Sequence, residues 1–280
     1  MNSRPFRFGA GLYSVGQSRS AWRDRAREVE DLGYDVLQVS DHLGALAPFP
    51  ALVAASDAVG IQLGTYVLNA GILSPAYLAR DVADTHRLTD GRLELGLGAG
   101  YVPREFEAAG LPFGSPGSRL RKLDELLAET QGLLAAEPDA PQPPIMIAGA
   151  GDRILTLAAR TADIISFPIT AGFGPGTPEE ALGARVRRVR DAAGERMADI
   201  ELNLFVAGVG HRVADIDLSV ITAASGKSAE ELAELPGVLV GEPRQIADTL
   251  LRYREEFGIS YISVLDDHMR TFAEVIPLLR

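Results

Sequence analysis

The stretch GIQLGTYVLNAGILSPAYLARDVADTHRLTDGRLELGLGAGY, residues 60–101, decides the fold. It holds two apolar runs, Ile61–Leu68 and Leu93–Gly98, on either side of a segment with helix boundaries. Ser74 and Pro75 supply an N-cap and a first-turn proline, and Gly91 supplies a stop. The unit therefore reads strand, helix, strand. Both runs are continuously apolar, as expected of parallel strands covered on both faces by crossover helices.

Outward from this unit the same alternation continues in both directions. Further runs are Phe6–Leu12, Asp35–Ser40, Ile145–Ala148, Asp163–Phe167, Ile200–Val209 and Ser260–Leu265. Between them lie amphipathic segments such as AWRDRAREVEDLG (21–33), where Trp22, Ala26, Val29 and Leu32 recur at helical spacing. Eight runs separated by helices in 280 residues fit an α/β (β/α)8 TIM barrel better than an open doubly wound sheet. The expected organisation is one domain over 1–280, with a modest insertion at 210–237 before the last strand.

Composition narrows the function. Hydrophobic residues make up 46% and the net charge is −11, so the chain is globular and acidic. An acidic surface argues against a nucleic-acid partner, which requires a basic face. The absence of cysteine excludes thiolate nucleophiles, iron–sulfur clusters and Cys-bearing zinc sites. Only Lys122 and Lys227 are lysines, both in polar segments, which speaks against Schiff-base chemistry. The opening MNSRPFRFGAGLY has no signal-peptide apolar run, and no stretch is long enough for a membrane helix. A soluble cytoplasmic protein is expected.

In a barrel, chemistry sits at the C-terminal ends of the strands. Those ends hold Asp41-His42 after strand two, Tyr66-Val67-Leu68-Asn69 at strand three, and Gly98-Ala99-Gly100-Tyr101 after strand four. Gly149-Ala150-Gly151-Asp152 follows strand five, Gly210-His211 strand seven, and Asp266-Asp267-His268 strand eight. The Gly149–Asp152 turn opens a helix over 152–161 and suits a phosphate, because glycines admit an anion to the backbone N–H groups; it also suits a bare strand-to-helix turn. GLGAGY (96–101) fails the dinucleotide fingerprint, since Tyr101 stands at the third glycine position. His86 reads as a helix surface residue. No HxH or HExxH pair anchors a metal among His42, His211 and His268, so no metal is expected. Asp41-His42 pairs an acceptor with a titratable ring at the barrel mouth, as a catalytic or a structural pair.

These residues resemble the bacterial-luciferase-like superfamily, and within it the branch dependent on coenzyme F420. The resemblance is carried by VSDHL (39–43), GIQLGTYVLNAG (60–71), LTDGRLELGLGAGYVPREFEAAGLPF (88–113), PPIMIAGAGDRILTLAARTADIISF (143–167) and GEPRQIADTLLRYREEFGISYISV (241–264). It implies a hydride-transfer enzyme with a deazaflavin at the barrel mouth and a small organic substrate. It places Asp41 and His42 beside the reactive face of the ring. A backbone bulge with a non-prolyl cis peptide bond, Tyr66–Val67, lies behind the ring, with Asn69 next to it. Ala99, Gly100, Tyr101 and Glu105 run along the ring and its side chain, and Gly149, Ala150 and Gly151 hold the phosphate. His42, Asp41 and Glu105 are the catalytic candidates. Arg153, then Arg104, are the candidates for the acidic tail of the coenzyme.

The competing reading in the same superfamily is an FMN-dependent monooxygenase fed by a partner flavin reductase. A flavoprotein that binds without turnover is a reading of another class. A flavin-free phosphate-binding lyase or isomerase barrel is weakened by the absent lysine and metal motif. The superfamily also implies a homodimer, for which the segments near 48–59 and 75–88 are the candidate interface.

Overall fold

The computed structural model describes residues 4–13, 16–136 and 142–280; Met1–Ser3 of the opening segment lie outside it. The described residues run β1 (Arg7–Leu12), α1 (Arg19–Asp31), β2 (Val36–Val39), α2 (Pro48–Ser56), β3 (Gln62–Thr65), α3 (Pro75–Leu88), β4 (Leu93–Gly98), α4 (Pro116–Ala135), β5 (Ile145–Ala148), α5 (Asp152–Thr161), β6 (Ile164–Phe167), α6 (Pro178–Ala193), β7 (Glu201–Val206), α7 (Pro243–Phe257) and β8 (Ile259–Leu265). Two short helices, Met269–Ala273 and Ile276–Leu279, take the place of a single last one. The eight strands form a closed parallel barrel. Pairing of Leu63 with Leu93 joins β3 to β4, and pairing of Phe8 with Ile262 joins β1 to β8. No helix among the described residues is long and apolar enough to cross a membrane.

The continuous apolar runs are buried for the reason the sequence suggests. Every residue of β2, β4 and β6 is buried, with helices outside and the packed interior within. That interior also holds polar groups. At its N-terminal end Arg7 bridges Glu94 and Glu201, with the Glu201 contact at 2.6 Å, and its guanidinium lies 4.5 Å from the Tyr261 ring centroid. Gln38 Nε2 donates to the Tyr261 hydroxyl at 2.9 Å. Higher up, Asn203 links strands by accepting from Ser166 Oγ at 2.7 Å and donating to Ser263 Oγ at 2.8 Å.

Two strand runs are shorter than the apolar pattern indicates. The run Ile61–Leu68 breaks at Tyr66–Val67, a cis peptide bond, and pairing resumes with Leu68–Asn69 on β4. Thr65 Oγ1 spans the break by donating to Gly96 O (2.9 Å) and accepting from Gly96 N (2.8 Å). The run Ile200–Val209 leaves the barrel after Val206. Gly208–Gly210 then pair with Val238–Val240 in a separate parallel ribbon. His211 therefore follows this outer ribbon and not a barrel strand. The intervening segment is the expected insertion, built around Ile216, Leu218, Leu232, Leu235 and Val238, with Ile169 and Phe173 from the β6–α6 loop packed against it.

Candidate active site

β2 and β4 bring together what lies far apart in sequence. His42 Nδ1 sits 2.8 Å from Glu105 Oε1, across 63 positions. Glu105 lies in the short helix Pro103–Ala108 and is only 7% exposed. Its neighbour Phe106 is buried against Gly71 and Gly100, where an added Cβ would fall within 3 Å of the Phe106 ring. That anchoring fixes the helix so that Glu105 faces His42. The carboxylate accepts the Nδ1 proton in this arrangement, which leaves Nε2 as the acceptor nitrogen. Tyr101 Oη stands 3.3 Å from Nε2. The rings of Tyr13 and Tyr101 meet His42 edge-on, each at 5.9 Å between centroids.

Asp41 points the other way and accepts from Asn69 N at 3.0 Å. Burial pushes its carboxyl above the ordinary carboxylate range; the Asn69 N–H opposes this, nearby Glu105 adds to it, and His42 opposes it. Asn69 is 4% exposed, and its Oδ1 accepts from Gly71 N at 3.0 Å. Its Nδ2 is buried with no partner among the described residues. An orphaned buried donor of this kind calls for a partner. Behind it, Gly96 and Gly98 make room for Val67, whose methyls lie 2.9 Å from where their Cβ atoms would be.

The glycine turn after β5 forms another part of the same rim. Gly151 is the N-cap of α5 and no side chain caps the helix, so its first-turn N–H groups are unspent by such a bond. Nothing lies within 4 Å of the Cβ position at Gly151, while Gly149 accommodates Ile154. Arg153 is exposed on the first turn, with Nη1 3.7 Å from the Cβ position of Gly117 at the start of α4; Arg104 is exposed on the helix Pro103–Ala108.

Two supporting arginines escaped the sequence reading. Arg119 of α4 donates Nε to Gly100 O at 3.0 Å and lies 3.9 Å over the Phe113 ring. Arg185 of α6 donates Nε to Ala150 O at 3.1 Å. Each stands on the core-facing stripe of its helix, four residues from a buried Leu123 and a buried Ala181 respectively. That placement is the signal that could have found them. His86 is half-buried and not a surface residue, and burial lowers its pKa. Among the described residues no three His, Asp or Glu side chains are grouped as a metal site would need.

Residues 3–209 match the family described as luciferase-like monooxygenase. The chain belongs to this family. Relatives of this family member include an uncharacterized protein of Mycobacterium tuberculosis, 31% identical over 166 residues, which are 51% of this chain and 54% of that protein. The F420-dependent glucose-6-phosphate dehydrogenase of Kribbella flavida is 27% identical over 211 residues, 65% of this chain and 62% of that enzyme. The chain thus spans between half and two thirds of the length of these curated relatives. Among solved structures, an F420-dependent secondary alcohol dehydrogenase in complex with an F420-acetone adduct superposes with a TM-score of 0.76 at 16% identity, covering 99% of this chain and 100% of that one. The EDTA monooxygenase of Chelativorans sp. BNC1 superposes at 0.75 and 17% identity, covering 99% and 93%. These likenesses confirm the luciferase-like barrel fold.

Proposed function

We propose that this chain is an oxidoreductase that exchanges a hydride between coenzyme F420 and a small organic substrate, acting as one barrel unit in the cytoplasm. The observation that carries this reading is a shared rim: the His42–Glu105 pair and the uncapped start of α5 lie at strand ends of the same barrel mouth. The residues present fit such a group, because the rim holds an orphaned Asn69 Nδ2 and an open helix start. Relatives named as F420-dependent enzymes support the choice of coenzyme.

When bound, the coenzyme supplies a ring carbon that releases or takes up a hydride. Gly149, Ala150 and Gly151 would hold its phosphate by backbone N–H groups. Tyr66, Val67, Asn69, Ala99, Gly100 and Tyr101 would flank the ring and its side chain. Arg153, and then Arg104, would meet the acidic tail, an attraction that salt weakens. His42 would take a substrate hydroxyl proton at Nε2 or return it to a carbonyl oxygen. Glu105 fixes the ring and stabilises the imidazolium that results. Asp41, bonded to Asn69 N, holds the end of β2 against the resumed strand Leu68–Asn69.

Fluorescence titration of the purified chain against F420 and FMN tests the proposal, with tighter binding of F420 expected. Tighter binding of FMN would move the chain to the FMN-dependent monooxygenase reading. Binding of neither would overturn both the F420 and the FMN readings.

A further inference from the structure

The glycines that admit an anion at the α5 turn also loosen it. The Ala150–Gly151 peptide plane can turn over at little steric expense, since that rotation changes ψ of Ala150 and φ of Gly151, and glycine adopts either sign of φ. Turned one way, the Ala150–Gly151 plane offers an N–H to the site. Turned the other way, it offers a carbonyl oxygen, which repels an anion.

We propose that Arg185 selects the anion-binding orientation and is thereby a positioning residue for phosphate at this turn. The inference rests on the reading of Gly149–Gly151 as a phosphate site. Arg185 donates Nε to Ala150 O at 3.1 Å, Nη1 to Ala181 O at 2.9 Å and Nη2 to Phe173 O at 2.5 Å. The Ala150–Gly151 bond is trans, so its C=O and N–H point in opposite directions. Holding the carbonyl on the α6 side turns the Gly151 N–H away from α6, to join the unspent N–H groups at the start of α5. The guanidinium is suited to this because its fork reaches three carbonyls from one rigid plane. A lysine in its place offers a single point of donation. The Phe173 contact also ties the turn to the β6–α6 loop, whose Phe173 packs on the insertion core.

The test compares ligand pairs that differ in the phosphate: FMN against riboflavin, and F420 against the deazaflavin chromophore without phosphate and tail. Affinities are measured by fluorescence titration on the full chain and on Arg185→Met and Arg185→Lys. The parent chain is expected to prefer the phosphorylated member of the pair it binds. Both variants are expected to lose roughly tenfold of that preference, with the unphosphorylated affinity nearly unchanged. The ratio within one variant is insensitive to partial unfolding, and Arg185→Lys remains available if Arg185→Met does not fold. A parent chain with no preference would overturn the phosphate reading of the turn itself. A preference retained in both variants would overturn the role of Arg185 and leave that reading intact.

Discussion

His42 has a partner on each ring nitrogen, and those partners come from the loop and short helix that follow β4. Glu105 at 2.8 Å sets the tautomer, and Tyr101 at 3.3 Å faces the acceptor nitrogen. On the proposed reading His42 serves proton transfer, and its side chain, 29% exposed, is open to the barrel mouth. His42→Ala is therefore expected to lower kcat by roughly 10²-fold, and to lower the melting temperature too, because it leaves the buried Glu105 carboxylate without its partner. Unchanged turnover with a working substrate would make His42 a structural residue. Asp41-His42 was legible in the sequence because a strand end in a parallel barrel points to the mouth. Glu105 was reachable only through the family resemblance, because nothing local connects it to a residue 63 positions away.

At the scale of elements, the third barrel strand is the informative one. Its break at Tyr66–Val67 depends on Gly96 of β4, where an added Cβ would stand 2.1 Å from Thr65 O and 2.9 Å from Val67 Cγ1. The nearer obstacle is backbone, so no side-chain rotation relieves it. Gly96→Ala is expected to destabilise the protein by about 3 kcal/mol or more, read as a lower urea midpoint, because the two strands must separate. A midpoint equal to that of the parent chain would show that the strands yield freely. The α5 turn was also legible, since glycines before a helix announce an open N-terminus. Its support by Arg185 was not, because that contact depends on how α6 packs against α5.

For the whole molecule, the barrel interior makes stability depend on pH. Burial pushes the Glu201 carboxyl above its ordinary value of 4.5; Arg7 opposes this and Glu94 reinforces it. A folded value above the unfolded one favours the folded state at low pH, and that contribution is lost as pH rises through the folded value. Thermal melts should therefore show Glu201→Gln gaining on the parent chain as pH rises above 4.5. A gain that runs toward low pH would contradict this. The outer surface bears on assembly: Tyr77 and Leu88 on α3 are 64% and 62% exposed, and Leu133 on α4 is 44% exposed. Tyr77 and Leu88 lie on the segment that the family resemblance makes a candidate homodimer interface. Light scattering at micromolar concentration is expected to give twice the 29.8 kDa chain mass, and a monomer would rule the dimer out.

The sequence by itself pointed to the barrel, because eight continuous apolar runs separated by amphipathic helices in 280 residues fit a closed parallel sheet better than an open one. It also determined where chemistry could sit, since strand order alone assigns Asp41-His42 and Gly149–Gly151 to one rim. The tertiary structure decided which residues meet there. The His42–Glu105 pair, the hold of Arg185 on Ala150 and the departure of Gly208–Gly210 from the barrel are contacts between distant segments. Local pattern encodes which face of an element is buried; it does not encode which distant side chain arrives opposite, because that depends on the closed geometry of all eight strands at once.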